Sequence, residues 1–384
     1  MDNQIQRLSE YPFRIFFVST AAWALLAIPL WILTLQGSLS HAPTLDLLVW
    51  HRHEMLFGMV NTGIAGFLMT AACVWTQSDR LHGLPLVLLW SVWGAGRVLS
   101  YMDFGVPQAL VVAVNLMFLP LVLLDTGIRI WKARQRRQYI LLLLLALLWV
   151  TEAGVLLDPQ GPWHETAILV LFTLMAVVGG RITPAFSSSW LTGQGRKGQQ
   201  VHTNAKLDLV AIVLLLLVGC SLLTRLDTLT IWLSMGTAAV HLFRLVLWRG
   251  WLVRAEPLLW VLHLSMLWIP LSLILLATGR MGLTGIQIWV HAAGVGAVAS
   301  LILGVMARVS LGHTGRPLIL PHHMGVAFVL IQVCAVIRVA TAAALLPWQL
   351  GIFLSGAIWV ICFGLFLWRY SPILTAPRAD GKPG

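Results

Sequence analysis

The chain contains few charged residues for its length. Asp, Glu, Lys and Arg make up 10% of its 384 residues, whereas a soluble domain typically contains about 25%. Because so little charge cannot cover a water-exposed surface, soluble enzymes and nucleic-acid-binding proteins are excluded. The excess of 25 basic over 14 acidic residues is typical of the cytoplasmic loops of membrane proteins, so it does not indicate a nucleic-acid partner.

Cysteine is also scarce. Four cysteines are scattered through apolar runs (Cys73, Cys220, Cys334 and Cys362), and no two form a CxxC pair. This pattern predicts packed core residues and indicates neither a disulfide framework nor a thiolate metal site. The absence of a CxxCH motif excludes covalently attached c-type haem.

Apolar runs fill most of the chain, which is 59% hydrophobic with a mean hydropathy of +0.86. A membrane helix needs about 20 apolar residues, so the length allows about twelve spans. The sequence predicts an all-α polytopic membrane protein, embedded in a lipid bilayer as a single helical bundle over 1–384, with short cytoplasmic tails at 1–12 and 371–384. The spans are predicted at 13–36, 46–76, 84–102, 107–128, 138–157, 164–189, 206–224, 228–248, 256–279, 286–311, 318–346 and 348–370.

The basic residues predict how these spans are oriented. If the N-terminus is cytoplasmic, five of the 25 Lys and Arg residues fall on the far side of the membrane and the remaining 20 fall on the cytoplasmic side. The largest basic cluster lies between Arg129 and Arg137. Because positive residues collect in cytoplasmic loops, this distribution predicts that both termini are cytoplasmic.

Six histidines lie in or beside the predicted spans, where polar groups are costly and usually functional. One such histidine can be explained by a hydrogen bond between helices. Six of them, in a chain with so few other ionisable residues, favour ligation of a metal or haem, because imidazole is the commonest metal ligand. The six are His51, His53, His241, His263, His291 and His313.

Two of these histidines are close neighbours in the stretch WHRHE at 50–54. Because successive helical residues turn by about 100°, the rings of His51 and His53 project in nearly opposite directions and can serve two separate centres. The same rotation places Glu54 near the face of His51. Gly58 lies beneath Glu54 on the same helix, and because it has no side chain it leaves room for a flat, broad group.

The other histidines lie in different spans. His241 and His263 belong to neighbouring spans with a short connection, which predicts matching depth in a hairpin. His291 begins a span with several small residues, which suits either close helix packing or a porphyrin cleft. Depth along the spans places His51, His53 and His291 toward the outer side and the other three toward the cytoplasm, which predicts two levels of cofactor unless the span boundaries are shifted.

Arg97 and Arg181 are candidates for pairing with haem propionates, because arginine binds carboxylates through two hydrogen bonds at once. The alternative is that each side chain extends to the membrane interface. Haem held by histidines without a CxxCH motif would be non-covalent, b-type haem.

Five stretches with distinctive combinations of Gly, Pro, His and Arg are distributed along the chain. They are YPFRIFF (11–17), WHRHEMLFG (50–58), GGRITPAF (179–186), EPLLWVLH (256–263) and RVSLGHTGRP (308–317). In this order they resemble the NnrS family of haem- and copper-containing membrane proteins. The resemblance implies a twelve-span protein of the bacterial inner membrane that binds haem and copper and is associated with nitric oxide metabolism.

Two classes of function follow from this resemblance. The first is an enzyme that reduces nitric oxide to nitrous oxide at a haem beside a copper ion, with electrons from an unidentified donor. In this enzyme, bonds to copper or haem come from His241, from His263 and from either His291 or His313. Glu54 is the candidate proton relay, although it can instead be a hydrogen-bond partner that fixes a ligand histidine.

The second class is a haem protein that binds or senses nitric oxide without turnover and protects cellular metal centres. Transport of a metal or solute is a weaker alternative, because transporters are often built from internal repeats and no clear repeat is evident. Oxygen reduction is disfavoured, because haem-copper oxidases use a tyrosine near a copper histidine. None of the four tyrosines lies within a helical turn of the six histidines.

Overall fold

The computed structural model describes residues 6–39, 43–196 and 198–382, and all regular secondary structure in these ranges is helical. Twelve of the helices are long and apolar enough to cross a membrane, which confirms the predicted fold class. They are α1 (Pro12–Leu35), α2 (Leu47–Thr76), α3 (Leu84–Tyr101), α4 (Gln108–Lys132), α5 (Arg136–Leu157), α6 (Trp163–Gly193), α7 (Ala205–Leu223), α8 (Asp227–Trp248), α9 (Pro257–Arg280), α10 (Ile288–His313), α11 (Met324–Ala342) and α12 (Trp348–Leu374).

Local sequence explains where several helices begin. Proline occupies the first or second position of α1, α3 and α9, where its missing N–H would have no helical partner in any case. The Asp46 carboxylate accepts the N–H groups of Leu48 and Val49 and so caps α2. Asn204 caps α7 in the same way. Such caps satisfy the first N–H groups of a helix, which have no carbonyl partner within it.

One predicted span is too long. The apolar run predicts a span at 318–346, but α11 covers Met324–Ala342. Pro321 cannot donate a helical hydrogen bond, and His323 has a left-handed backbone with φ of 70°, so the helix begins after them. Ala344, with φ of 58°, follows its other end.

Two of the spans change to π-helical geometry directly after a histidine. In α2 the π segment is Glu54–Met59, which follows His53, and in α10 it is Ala292–Ala299, which follows His291. π segments are rare and occur frequently at functional sites. Both therefore draw attention to the histidine that precedes them.

The chain divides into two compact units. Unit 1 comprises Met1–His164, Met306–Met324 and Trp359–Gly384, and unit 2 comprises Glu165–Val305 and Gly325–Ile358. In unit 1, aromatic and aliphatic side chains from α1 to α4 form a buried core. In unit 2, α8 packs along both α7 and α9. The organisation of the whole chain as a single domain stays a prediction.

Candidate functional site

A buried network of polar side chains surrounds His53 in unit 1. The Nδ1 atom of His53 lies 2.9 Å from Oε1 of Glu54, and its Nε2 atom lies 3.2 Å from Oε1 of Glu152 on α5. His53 and Glu54 are fully buried and Glu152 is 3% exposed. Ionisable groups at this depth are costly unless they are paired, and here each ring nitrogen has a carboxylate partner.

Both glutamates are held at their second oxygen as well. The Arg97 Nε atom on α3 lies 2.7 Å from Oε2 of Glu54, and Asn61 donates a 3.3 Å hydrogen bond to Oε2 of Glu152. Arg97 also donates to the side-chain oxygen of Asn115 on α4. The network therefore connects α2, α3, α4 and α5.

The hydrogen bonds determine how many protons the Glu54–His53–Glu152 triad holds. Each bond joins a ring nitrogen to a carboxylate oxygen, and each needs one proton between the two atoms. The triad therefore holds two protons and carries one net negative charge, whichever groups bear them. The Arg97 guanidinium balances this charge, so a proton can move within the triad while the network stays neutral.

Gly58 provides the space that the Glu54 carboxylate occupies. A Cβ atom at Gly58 would lie 2.3 Å from Oε2 of Glu54 and 3.1 Å from Nε1 of Trp23. The room expected for a flat, broad group is thus filled by a carboxylate and an indole. Glu54 also bonds to His53 rather than lying at the face of His51, because the helix changes at Glu54 to π geometry, which alters the angle between successive side chains.

His51 contacts a different helix from His53. Its ring stacks on Trp31 of α1, with ring centroids 4.1 Å apart and planes 23° apart. The ring of His53 instead bonds to Glu152 of α5. The two rings therefore have separate surroundings, as their spacing predicts, while the ligand roles assigned to them stay predictions.

In unit 2, His241 lies on the buried face of α8. Its Nδ1 atom is 3.4 Å from Nη1 of Arg244, which pairs with Asp208 of α7 at 2.8 Å. His241 is 2% exposed, and its Nε2 atom has no hydrogen-bond partner in the part of the chain that the structure describes. A buried nitrogen without a partner is costly. Because an arginine side chain can only donate, Nδ1 of His241 accepts from Arg244 and the unpartnered Nε2 atom carries the ring proton. Ligation of a metal or haem iron through Nε2 would require the other tautomer and a shift of Arg244 away from Nδ1.

His263 on α9 has different neighbours from His241. The Ser187 hydroxyl donates its one proton to the Thr183 carbonyl, so it accepts the 2.9 Å hydrogen bond from Nε2 of His263. The lone pair of the His263 ring is therefore on Nδ1. That atom faces Gly250, where a Cβ atom would lie 2.6 Å from it. The Nδ1 atom is the ring atom of His263 that can bind a metal in this arrangement.

The small residues of α10 serve close helix packing. A Cβ atom at Gly296 would lie 2.3 Å from the Trp268 ring of α9, and one at Gly304 would lie 2.8 Å from Val261. Ser300 accepts hydrogen bonds from Ser265 and Gln332. Of the two explanations for these residues, the structure supports packing over a porphyrin cleft. His291, at the start of this span, accepts a 2.8 Å hydrogen bond from Arg338 of α11.

The other predicted site residues are His313, Arg181 and Arg97. His313 is the last residue of α10, and its ring centroid lies 5.5 Å from that of Phe13. Arg181 is exposed on α6, and Arg97 pairs with Glu54. Within the described residues, no three His, Cys, Asp or Glu side chains are grouped so that they could hold a metal ion.

The C-terminal segment holds the end of α10. Arg378 donates to the carbonyl oxygen of His313 at 2.9 Å, and the backbone N–H of Ala379 donates to Thr314. Arg378 also pairs with Asp380 at 2.6 Å. This hydrogen-bonded guanidinium lowers the pKa of Asp380 to about 2, so the carboxylate stays ionised at neutral pH.

Comparison with known proteins identifies the family. A family model described as NnrS protein matches residues 7–378. The chain belongs to the NnrS family. Membership links this membrane protein to nitric oxide and to haem and metal binding. No curated protein matches the chain.

Several residues of this NnrS protein's buried clusters were not among the predicted site residues. Glu152 lies within an apolar run, and the cost of an acidic residue at that depth is the signal that could have identified it. Asn61, Asn115 and Arg338 also bond to predicted site residues. The two asparagines give a weaker signal than a charged residue does, because asparagine at a helix interface is often only a packing contact.

Proposed function

We propose that the chain binds nitric oxide at a haem and copper site and reduces it to nitrous oxide. Two nitric oxide molecules take up two electrons and two protons and give one nitrous oxide and one water. Haem and copper would supply the binding positions for nitric oxide and transfer the electrons. The electrons come from an external one-electron donor.

The candidate ligands are histidines of the membrane spans. His241, His263 and His291 or His313 would hold haem and copper, and His51 is a further candidate. The support is the burial of His241 and the Nδ1 lone pair of His263. Because the chain has no CxxCH motif, the haem would be b-type and non-covalent.

The observation that carries the reductive function is the Glu54–His53–Glu152 triad. Binding or sensing of nitric oxide consumes no protons, whereas its reduction consumes two. The triad holds two protons in a buried, hydrogen-bonded line that stays neutral with Arg97. We assign Glu54, His53 and Glu152 to proton delivery, since positioned carboxylates and imidazoles are the groups that transfer protons in enzymes.

The distribution of basic residues supports a location in the bacterial inner membrane with both termini in the cytoplasm. Lys132, Arg134, Arg136 and Arg137 are exposed around the turn between α4 and α5. Clusters of this kind are retained on the cytoplasmic side during insertion. This orientation places the α4–α5 turn in the cytoplasm.

Anaerobic turnover of purified protein tests the proposal. Haem and copper are counted first, and nitrous oxide is then measured with nitric oxide, ascorbate and a redox mediator. We expect nitrous oxide from the parent protein, and little from Glu54→Gln and Glu152→Gln variants that retain haem and copper. Parental rates in both variants would exclude the relay. A fully loaded parent that makes no nitrous oxide would exclude reduction and leave nitric oxide binding as the function.

A further inference from the structure

Arg338 in α11 is a buried cation to which the structure gives no carboxylate. It is 8% exposed, and no ion pair found among the described residues includes it. Two other buried arginines differ in this respect, since Arg97 pairs with Glu54 and Arg244 pairs with Asp208. A buried charge without a counter-charge is costly, so Arg338 calls for an explanation.

The contacts of Arg338 leave part of its guanidinium unused. Its Nη2 atom donates to Nε2 of His291 at 2.8 Å, and its Cζ atom lies 5.4 Å from the centre of the Trp348 ring. Both partners are uncharged groups. The Nη1 atom is buried and has no hydrogen-bond partner within the described ranges. The guanidinium therefore presents unused N–H donors in a site from which water is largely excluded.

The end of α11 does not satisfy this cation. A helix C-terminus carries about half a negative charge on its free carbonyl groups, and Arg14 is bound in this way by the carbonyl oxygens of Leu374 and Ala376. In α11, however, the last carbonyl groups accept N–H groups of the following turn. These acceptors belong to Val339, Ala340 and Thr341.

We propose that Arg338, together with His291, forms a binding site for a planar oxyanion with one negative charge, such as a carboxylate. Arginine has a planar fork of donors that matches the two oxygens of such an anion. A single guanidinium neutralises one charge, which favours a monoanion over phosphate. The anion can be a free small molecule or, if the proposed haem is bound, one of the haem propionates.

The site also controls the availability of His291. Because Arg338 donates to Nε2, the ring proton lies on Nδ1 and the lone pair lies on Nε2, which is the tautomer that binds metals through Nε2. An anion that engages the guanidinium competes for the Nη2 donor. An anion that also took the Nη2 donor would remove the Arg338 hydrogen bond from Nε2 of His291.

Two measurements on the full-length protein test this site. In the first, the melting temperature of cofactor-free protein is recorded against sodium formate or sodium nitrite, with sodium chloride at equal ionic strength as the reference. In the second, the protein is titrated with haem and with haem dimethyl ester, which lacks the free carboxylates. The variants are Arg338→Gln, Arg338→Lys, which keeps the charge without the fork, and the control Arg136→Gln, at an exposed arginine.

The two measurements separate the two sources of the anion. Stabilisation by formate that disappears in Arg338→Gln identifies a free anion. If the anion is a haem propionate, the protein should bind haem about tenfold or more tightly than the dimethyl ester, and this preference should disappear in Arg338→Gln. The proposal is wrong if neither effect depends on Arg338, or if Arg136→Gln changes them equally. Failure to bind either haem form would contradict the proposed haem, while the formate measurement still decides the anion site.

Discussion

Charge balance in the Glu54–His53–Glu152 network predicts a specific pattern of stabilities. In Glu54→Gln, the amide oxygen accepts from Arg97 and the amide nitrogen donates to Nδ1 of His53, which becomes neutral and donates to Glu152. In Glu152→Gln, the amide donates to Nε2 of His53, which then donates to Glu54. Each variant keeps every hydrogen bond and a net charge of zero, so each should lose less than about 1 kcal/mol of unfolding free energy.

The double variant should behave differently. With both glutamates replaced, no carboxylate of the triad remains opposite Arg97, which is 6% exposed. An uncompensated buried charge costs about 3–5 kcal/mol, so the two substitutions should couple by roughly 3 kcal/mol instead of adding. Further substitution of Arg97 by Gln removes the charge and should recover most of the loss.

Equilibrium unfolding in mixed micelles measures these energies. Sodium dodecyl sulfate is titrated into the detergent-solubilised protein, and the fluorescence of its 19 tryptophans reports unfolding. Small additive losses in the double variant would show that the groups are not coupled by charge. A loss of about 3–5 kcal/mol in either single variant would refute the proton count.

Further predictions concern the same helices and the membrane orientation. Gly58→Ala should destabilise the protein by about 1–3 kcal/mol in the same unfolding assay, because the added Cβ atom would clash with the Glu54 carboxylate. Gly94→Ala, with nothing within 4 Å of the added atom, is the control and should be nearly neutral. His51→Ala should alter an optical or paramagnetic signal of the loaded protein, whereas His53→Ala should slow nitrous oxide formation with those signals retained. Loss of the same signal in both variants would contradict separate roles. Reporter fusions between Arg129 and Arg137 should be cytoplasmic, and a periplasmic signal would reverse the orientation.

Most spans could be predicted because the signal lies within each segment. A run of about 20 apolar residues is sufficient to cross a bilayer, and the span predicted at 206–224 corresponds to Ala205–Leu223. The prediction was wrong at the ends of α11, because apolar residues continue beyond the helix on both sides. There the backbone of Pro321 and His323 decides the boundary, which hydropathy does not report.

The candidate site could be predicted in its residue types but not in its partners. Histidines and Glu54 in apolar runs are visible in the sequence because burying them is costly. Their partners are distant along the chain: Glu152 is 99 residues from His53, and Arg338 is 47 residues from His291. Spacing on one helix carries no information about such pairs, which arise only when different helices pack together.

Anaerobic turnover with ¹⁵N-labelled nitric oxide is the most direct test of the proposed function. Purified protein with a counted content of haem and copper is mixed with the labelled gas and reductant, and the headspace is analysed by mass spectrometry. The proposal predicts doubly labelled nitrous oxide, one molecule for every two of nitric oxide consumed. A protein that takes up the gas and forms no labelled nitrous oxide would contradict it.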